Sequence, residues 1–102
     1  MSEYKETLKR IRQLTNEGRY GDAKRQARAL LEVLPNAAET TFLLAHAVHR
    51  QDRLEEAAEL YDLALRYVPT HASALNNSAS VLRRLGRTSE ALDRYRQATV
   101  AD

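Results

Sequence analysis

Cysteine is absent from the 102-residue chain, which excludes a disulfide framework and any thiolate metal site. Glycine and proline are scarce, at three and two residues. Few breaks therefore interrupt a remainder dominated by Ala, Leu, Arg, Glu and Gln, all of which favour helix. No apolar run approaches the roughly 20 residues that a bilayer span needs. The opening Met1-Ser2-Glu3-Tyr4-Lys5-Glu6 has no apolar signal-peptide core behind it, so a soluble cytoplasmic protein is the default expectation. A large charge surplus is missing as well. The 16 Lys and Arg face 14 Asp and Glu, whereas a nucleic-acid binder usually carries a stronger and more clustered excess. Arginine outnumbers lysine thirteen to three. That bias reads as codon usage in a GC-rich bacterial genome, with planar recognition of carboxylates as the alternative.

Catalytic patterns are missing too. The sequence holds no cysteine nucleophile, no Gly-rich phosphate loop and no HExxH. Ser73, Ser78, Ser80 and Ser89 fall on expected helices or helix starts with no His–Asp pairing to activate them. Glu55, Glu56 and Glu59 read as an exposed helix face. No enzyme and no cofactor are expected within these residues.

What is present is enough for one domain with a thin core: 43% of residues are apolar and 29% charged. The chain also repeats itself. At an offset of 34 residues, Ala23, Ala57 and Ala91 fall into one column, Leu14, Val48 and Leu82 into another, and Ile11, Ala45 and Ala79 into a third. Pro35 pairs with Pro69, Tyr61 with Tyr95, and Ala64 with Ala98. Gly18, Asp52 and Gly86 share a turn column, each followed by an arginine, Arg19, Arg53 or Arg87. No insertion is needed.

Each unit reads as two helices. In the second unit Phe42, Ala45 and Val48 recur at helical spacing, and so do Leu54, Ala57, Ala58, Tyr61, Ala64, Leu65 and Val68. The pattern predicts helices over 3–17, 20–34, 37–50, 53–67, 71–85 and 87–100. Asn36 with Glu39, and Asp52 with Glu55, have the spacing of a capping box, and Thr70 is the equivalent cap in the third unit. Pro35 and Pro69 stop the helices before them. The alanine column has a packing reason, because small side chains let two antiparallel helices cross closely.

The turn glycine, the small alanine, the tyrosine, the second alanine and the closing proline together resemble the tetratricopeptide repeat. So does the run Ala74-Leu75-Asn76-Asn77 through Arg84-Leu85-Gly86-Arg87 to Glu90-Ala91-Leu92. The likeness extends from Tyr4 to Asp102, as one domain over 1–102 with repeats at about 4–37, 38–71 and 72–102. The first unit departs most, with Ala27 in the tyrosine column and Arg10 where Leu44 would stand. Terminal repeats deviate because one face meets solvent. The resemblance implies an all-α fold, a right-handed solenoid of three antiparallel helix pairs. It also implies a protein-interaction module whose ligands lie on the concave side, lined by the first helix of each pair.

On those helices Lys5, Leu8, Lys9, Arg12, Thr15 and Asn16 form one row. The next two rows are Glu39, Phe42, Leu43, His46, His49 and Arg50, then Ser73, Asn76, Asn77, Ser80, Arg83 and Arg84. Spacings of three or four keep each row on one face. The face is basic, through Lys5, Lys9, Arg12, Arg50, Arg83 and Arg84, with Glu39 its one acid. Asn76 and Asn77 can bond an extended backbone, and Leu8, Phe42 and Leu43 offer an apolar anchor. The ligand expected is an acidic segment or a chain end with its carboxylate; a solvated face is the alternative.

The charged clamp by which some members hold the acidic C-terminus of heat-shock chaperones does not carry over. Its columns here hold Leu8, Arg12, Leu43, Ser73 and Asn77, none of the expected type. His46 and His49, three apart, have the spacing of two metal ligands, but no third is evident and no metal is expected. The last helix should leave Leu92, Tyr95 and Ala98 uncovered. The favoured reason is a chain cut from a longer repeat protein, with self-association through that face, or tolerated exposure on a small natural protein, as alternatives. Two further readings stay open beside the interaction module: a substrate-recruiting part of a larger enzyme such as a glycosyltransferase or sulfotransferase, and RNA binding. Small net charge and a concave face whose one aromatic besides histidine is Phe42 count against RNA.

Overall fold

The computed structural model describes residues 2–101. Six helices follow one another: α1 (Ser2–Asn16), α2 (Tyr20–Val33), α3 (Ala38–Arg50), α4 (Leu54–Tyr67), α5 (Ala72–Arg84) and α6 (Thr88–Ala101). Their bounds keep the 34-residue step. The second helices start at Tyr20, Leu54 and Thr88, and the first helices end at Asn16, Arg50 and Arg84. The arrangement is an all-α helical solenoid, and no strand occurs among the described residues.

The turn inside each pair shows why a glycine column exists. Gly18 and Gly86 have φ of +81°, and Asp52 has φ of +61°. The amide after each reaches back five residues: Arg19 N–H to Leu14 at 2.8 Å, Arg53 to Val48 at 3.3 Å, and Arg87 to Leu82 at 2.9 Å. The amides of Gly18, Asp52 and Gly86 bond three residues back, at 3.0, 2.9 and 3.0 Å. This is the Schellman closure of a helix C-terminus, which needs a left-handed residue just past the end. Asp52 is thus a C-terminal residue of α3 and not the expected cap of α4. That cap position belongs to Arg53, whose side chain caps nothing. Aspartate fills the left-handed position at lower cost than most side chains.

The other two expected caps are also displaced. Leu34 and Val68 each accept a hydrogen bond from the residue three further on, Ala37 at 3.3 Å and His71 at 3.1 Å. Pro35 and Pro69 occupy the second position of these β-turns, where their fixed φ fits. Asn36 and Thr70 are the third turn residues and lie one place too early. The N-caps are Ala37, with no side-chain bond, and His71, whose side chain accepts the Ala74 N–H.

Packing follows the repeat. Ala23, Ala57 and Ala91 are buried at the crossing within each pair, and Tyr61 is completely enclosed. Neighbouring pairs join through α2 with α3 and α4 with α5, and the first helices also touch directly, α1 with α3 and α3 with α5. The backbones of α2, α4 and α6 stay apart; Arg28–Glu56 at 3.4 Å and Arg94–Asp62 at 2.8 Å bridge the gaps between them. First helices that touch and second helices that splay curve the stack, with α1, α3 and α5 on its inner side. On α6, Leu92 and Tyr95 are exposed as expected, but Ala98 is buried, because its small side chain turns inward.

Ala57 has no exposed surface, so Ala57→Leu should overpack the α3–α4 crossing. The expected loss is about 1–3 kcal/mol, read as a lowered urea midpoint with an unchanged slope. An unaltered midpoint would place the crossing elsewhere.

Candidate binding groove on the inner helices

Three first helices side by side bring their rows into one surface, and its centre is a cluster of rings. Phe42 on α3 lies 4.8 Å from the His71 ring, 6.0 Å from Tyr61 and 6.1 Å from His46. Tyr61 comes from α4, behind the wall, yet its hydroxyl reaches His49 Nδ1 at 2.9 Å. Burial pushes the Tyr61 phenol well above its ordinary pKa, and Asn77 opposes that only partly. The phenol therefore stays protonated and acts as a hydrogen-bonding partner for His49 of α3.

A second network spans all three repeats. The Arg12 guanidinium of α1 donates to Glu39 Oε2 at 2.7 Å, and His71 Nε2 lies 2.8 Å from Glu39 Oε1. Ala74 N–H donates to His71 Nδ1 at 3.1 Å. With Nδ1 accepting, the proton of neutral His71 sits on Nε2 and is donated to Glu39; the tautomer follows from this network. Partial burial pushes the Glu39 carboxyl upward, but hydrogen bonds from His71 and Arg12 outweigh it and hold the group below the usual carboxylate range.

The electrostatics are less one-sided than the sequence suggests. Arg12 is tied to Glu39, Arg84 donates to Asp52 at 3.0 Å, and Arg50 lies 5.6 Å above the Tyr20 ring. Lys5, Lys9, Arg50 and Arg83 make no ion pair among the described residues. His46 and His49 are half-buried, and burial is the first cause that lowers the pKa of each. Arg50 lowers His46 further; His46, Arg84 and Arg50 lower His49, against an opposing pull from Asp52.

Phe42, His46, His49, Asn77 and the Arg50/Arg84 corner therefore sit around one centre, with Arg12 beside it. Two residues lie on the flanks. Lys9 lines a depression with Glu6, Thr7, Arg10 and Gln13 on the outer side of α1, and Asn76 lines one with Tyr95, Ala98 and Thr99 beside α6. Lys5 and Arg83 are exposed. The apolar anchor shrinks: Leu8 and Leu43 are core residues, Phe42 keeps only 9% of its surface exposed, and Thr15 is buried with its hydroxyl bonded to the Ile11 carbonyl. The sequence reading does not include His71, and it places Tyr61 in the core, where it is buried while its hydroxyl still bonds His49. The signal for His71 was its place directly before α5, where a ring nitrogen can cap.

No group of three or more metal-ligating side chains is found among the described residues. No helix among them is long and apolar enough to cross a membrane.

Residues 36–99 match the model described as Tetratricopeptide repeat. No curated protein sequence matches the chain significantly. Among solved structures, the second TPR of Spaghetti (RPAP3) bound to the HSP90 peptide SRMEEVD superposes with a TM-score of 0.89 at 18% identity, covering 95% of this chain and 90% of that one. The Yersinia enterocolitica type III secretion translocator chaperone SycD, in its alternative dimer, gives 0.90 at 15% identity over 99% of this chain and 76% of that one. MamA AMB-1 gives 0.79 at 24% identity over 87% of this chain, which spans about half of that protein, at 52%. At these identities the likeness is one of fold.

The histidine surroundings fix a pH dependence. An unfolded His46 or His49 takes up a proton as the pH falls through its ordinary value of 6.5. The folded groove resists that proton, so the unfolded state binds more protons and stability falls with pH below this value. The urea midpoint should drop between pH 7 and pH 5, and His46→Gln with His49→Gln should flatten the drop. Glu39, by contrast, stabilises the fold above its ordinary value of 4.5 and loses that contribution only at lower pH. An equal drop in the double variant would contradict the assignment.

Proposed function

Because the chain belongs to the tetratricopeptide repeat family, we propose that it is a non-enzymatic interaction module that holds a segment of another protein against the inner helices α1, α3 and α5. The segment is extended and acidic, or ends in a free carboxylate. The observation that carries this is the set of cations on that wall with no internal counter-ion among the described residues, Lys5, Arg50 and Arg83, with Lys9 on its flank. Arg12 and Arg84 stand beside them in partly exposed pairs, which cost little to exchange. Hydrogen-bonding groups at His46, His49 and Asn77 line the centre, and Asn76 stands on the flank.

Two neighbours of the same fold support a peptide or protein ligand: one is described as bound to the peptide SRMEEVD and another as a translocator chaperone. The ligand of the first is not expected to transfer unchanged. The columns that would clamp a chaperone terminus hold Leu8, Arg12, Leu43, Ser73 and Asn77, and Leu8 and Leu43 are buried. RNA is disfavoured, since the formal charge is only +2 and Phe42, the one aromatic of the wall's rows besides histidine, keeps only 9% of its surface exposed for a base to stack on. A second reading, self-association through α6, rests on exposed Leu92, Tyr95 and Val100; a monomer mass at high concentration in sedimentation would remove it.

The test is fluorescence anisotropy with a labelled decapeptide of alternating Asp and Glu around one Leu, alongside a Lys-for-acid version and SRMEEVD. The acidic decapeptide should bind best. Arg50→Glu with Arg84→Glu should weaken it by roughly tenfold or more, as loss of about 1.4 kcal/mol implies. Equal binding of the acidic and basic peptides, or no effect of the double variant, would contradict the proposal.

A further inference from the structure

The Arg12–Glu39–His71 network has the form of an occupied binding site. Its two donors come from different repeats and converge on a single carboxylate, one oxygen each, at 2.7 and 2.8 Å. His71 does not depend on Glu39 for its pose. The Ala74 N–H fixes its Nδ1 side, the Phe42 ring lies 4.8 Å away, and only 15% of its side chain is exposed. Its Nε2–H therefore points at the same place whether or not Glu39 is there. Arg12 is half-exposed and carries a fork suited to carboxylates. Glu39, by contrast, is an ordinary residue in the first turn of α3 with 34% of its side chain exposed. Three rotatable side-chain bonds let it swing away, and of the two contacts it leaves, the Arg12 pair is partly exposed and screened by solvent.

We propose that Arg12 and His71 form a carboxylate-binding subsite of the inner wall, and that Glu39 fills it as an exchangeable internal occupant until an acidic side chain or a terminal carboxylate of the ligand takes its place. This deepens the peptide-binding reading above and rests on it for the identity of the ligand. The site itself is a property of the free chain. A tethered occupant competes at a high effective concentration, so the wild type binds an acidic ligand more weakly than its cations would otherwise allow. Removing Glu39 therefore improves binding, and the improvement requires Arg12. A general rise in positive charge would not have that dependence.

Two measurements test this. In the first, the acidic decapeptide is titrated into the wild type, Glu39→Ala, Glu39→Gln, Glu39→Ala with Arg12→Gln, and Glu59→Ala. The last removes an exposed acid from α4 and makes the same change in net charge. Glu39→Ala should tighten binding by roughly tenfold, Glu39→Gln by less, and Glu59→Ala by under about twofold; Arg12→Gln should cancel the gain. A gain equal in Glu39→Ala and Glu59→Ala, no gain at all, or a gain that survives Arg12→Gln overturns the subsite. If the decapeptide binds none of the chains, or binds the wild type and Arg50→Glu/Arg84→Glu alike, it is the peptide reading that fails. The second measurement needs no peptide. Sodium acetate is titrated into Glu39→Ala, or into Glu39→Gln if melting shows the alanine variant unfolded, while the imidazole nitrogen resonances of His71 are followed. Saturable movement of the Nε2 signal that Arg12→Gln abolishes is expected, and an unmoved His71 contradicts the subsite.

Discussion

Everything on the inner wall depends on how closely α3 can approach its neighbours. Within a pair, the approach is set by the alanine column: Ala23, Ala57 and Ala91 are buried where the helices cross, and any larger side chain would hold the backbones apart. Between pairs, α1 meets α3 and α3 meets α5 while the second helices splay. That asymmetry curves the stack and turns three separate rows of side chains into one surface. Arg12 and His71, 59 positions apart in sequence, both bond Glu39, only because each repeat delivers its first helix to the same side.

The wall that results combines buried hydrogen-bonding groups with partly exposed charges. Tyr61 is buried behind it: the core encloses the whole side chain, and its hydroxyl bonds His49 from beneath the surface. The arginines are exposed at the rim, each with a partly exposed partner such as Asp52 or with no ion pair among the described residues. On the proposed reading, an extended acidic segment would meet donors such as His71 that are already held in place, which lowers the entropy lost on binding. Glu39 and Asp52 already pair with two of the wall's cations, Arg12 and Arg84.

Much of the fold was legible because the repeat constrains it at every scale. The alanine and glycine columns, the helix pairs and their 34-residue step all return in the structure. What was misread came from local chemistry that periodicity does not encode. Asn36, Asp52 and Thr70 look like caps by residue type, but a proline-led β-turn and a left-handed closure shift each of them by one place. Leu8 and Leu43 share helical spacing with groove residues, yet a stripe wide enough to face both ligand and neighbour loses its edge residues to the core. Glu39 was counted as one acid among six cations. That it binds two basic groups from separate repeats depends on distances between units, which spacing along a single helix cannot supply.

The central claim, that the inner wall is where a partner docks, is tested most directly by mapping. Backbone amide shifts of the labelled chain would be followed as the acidic decapeptide is added. The account predicts movement concentrated on α1, α3 and α5, centred on the amides around Arg12, His46, His49 and Asn77, with α2, α4 and the outer side of α6 still. Shifts confined to those splayed outer helices would contradict it.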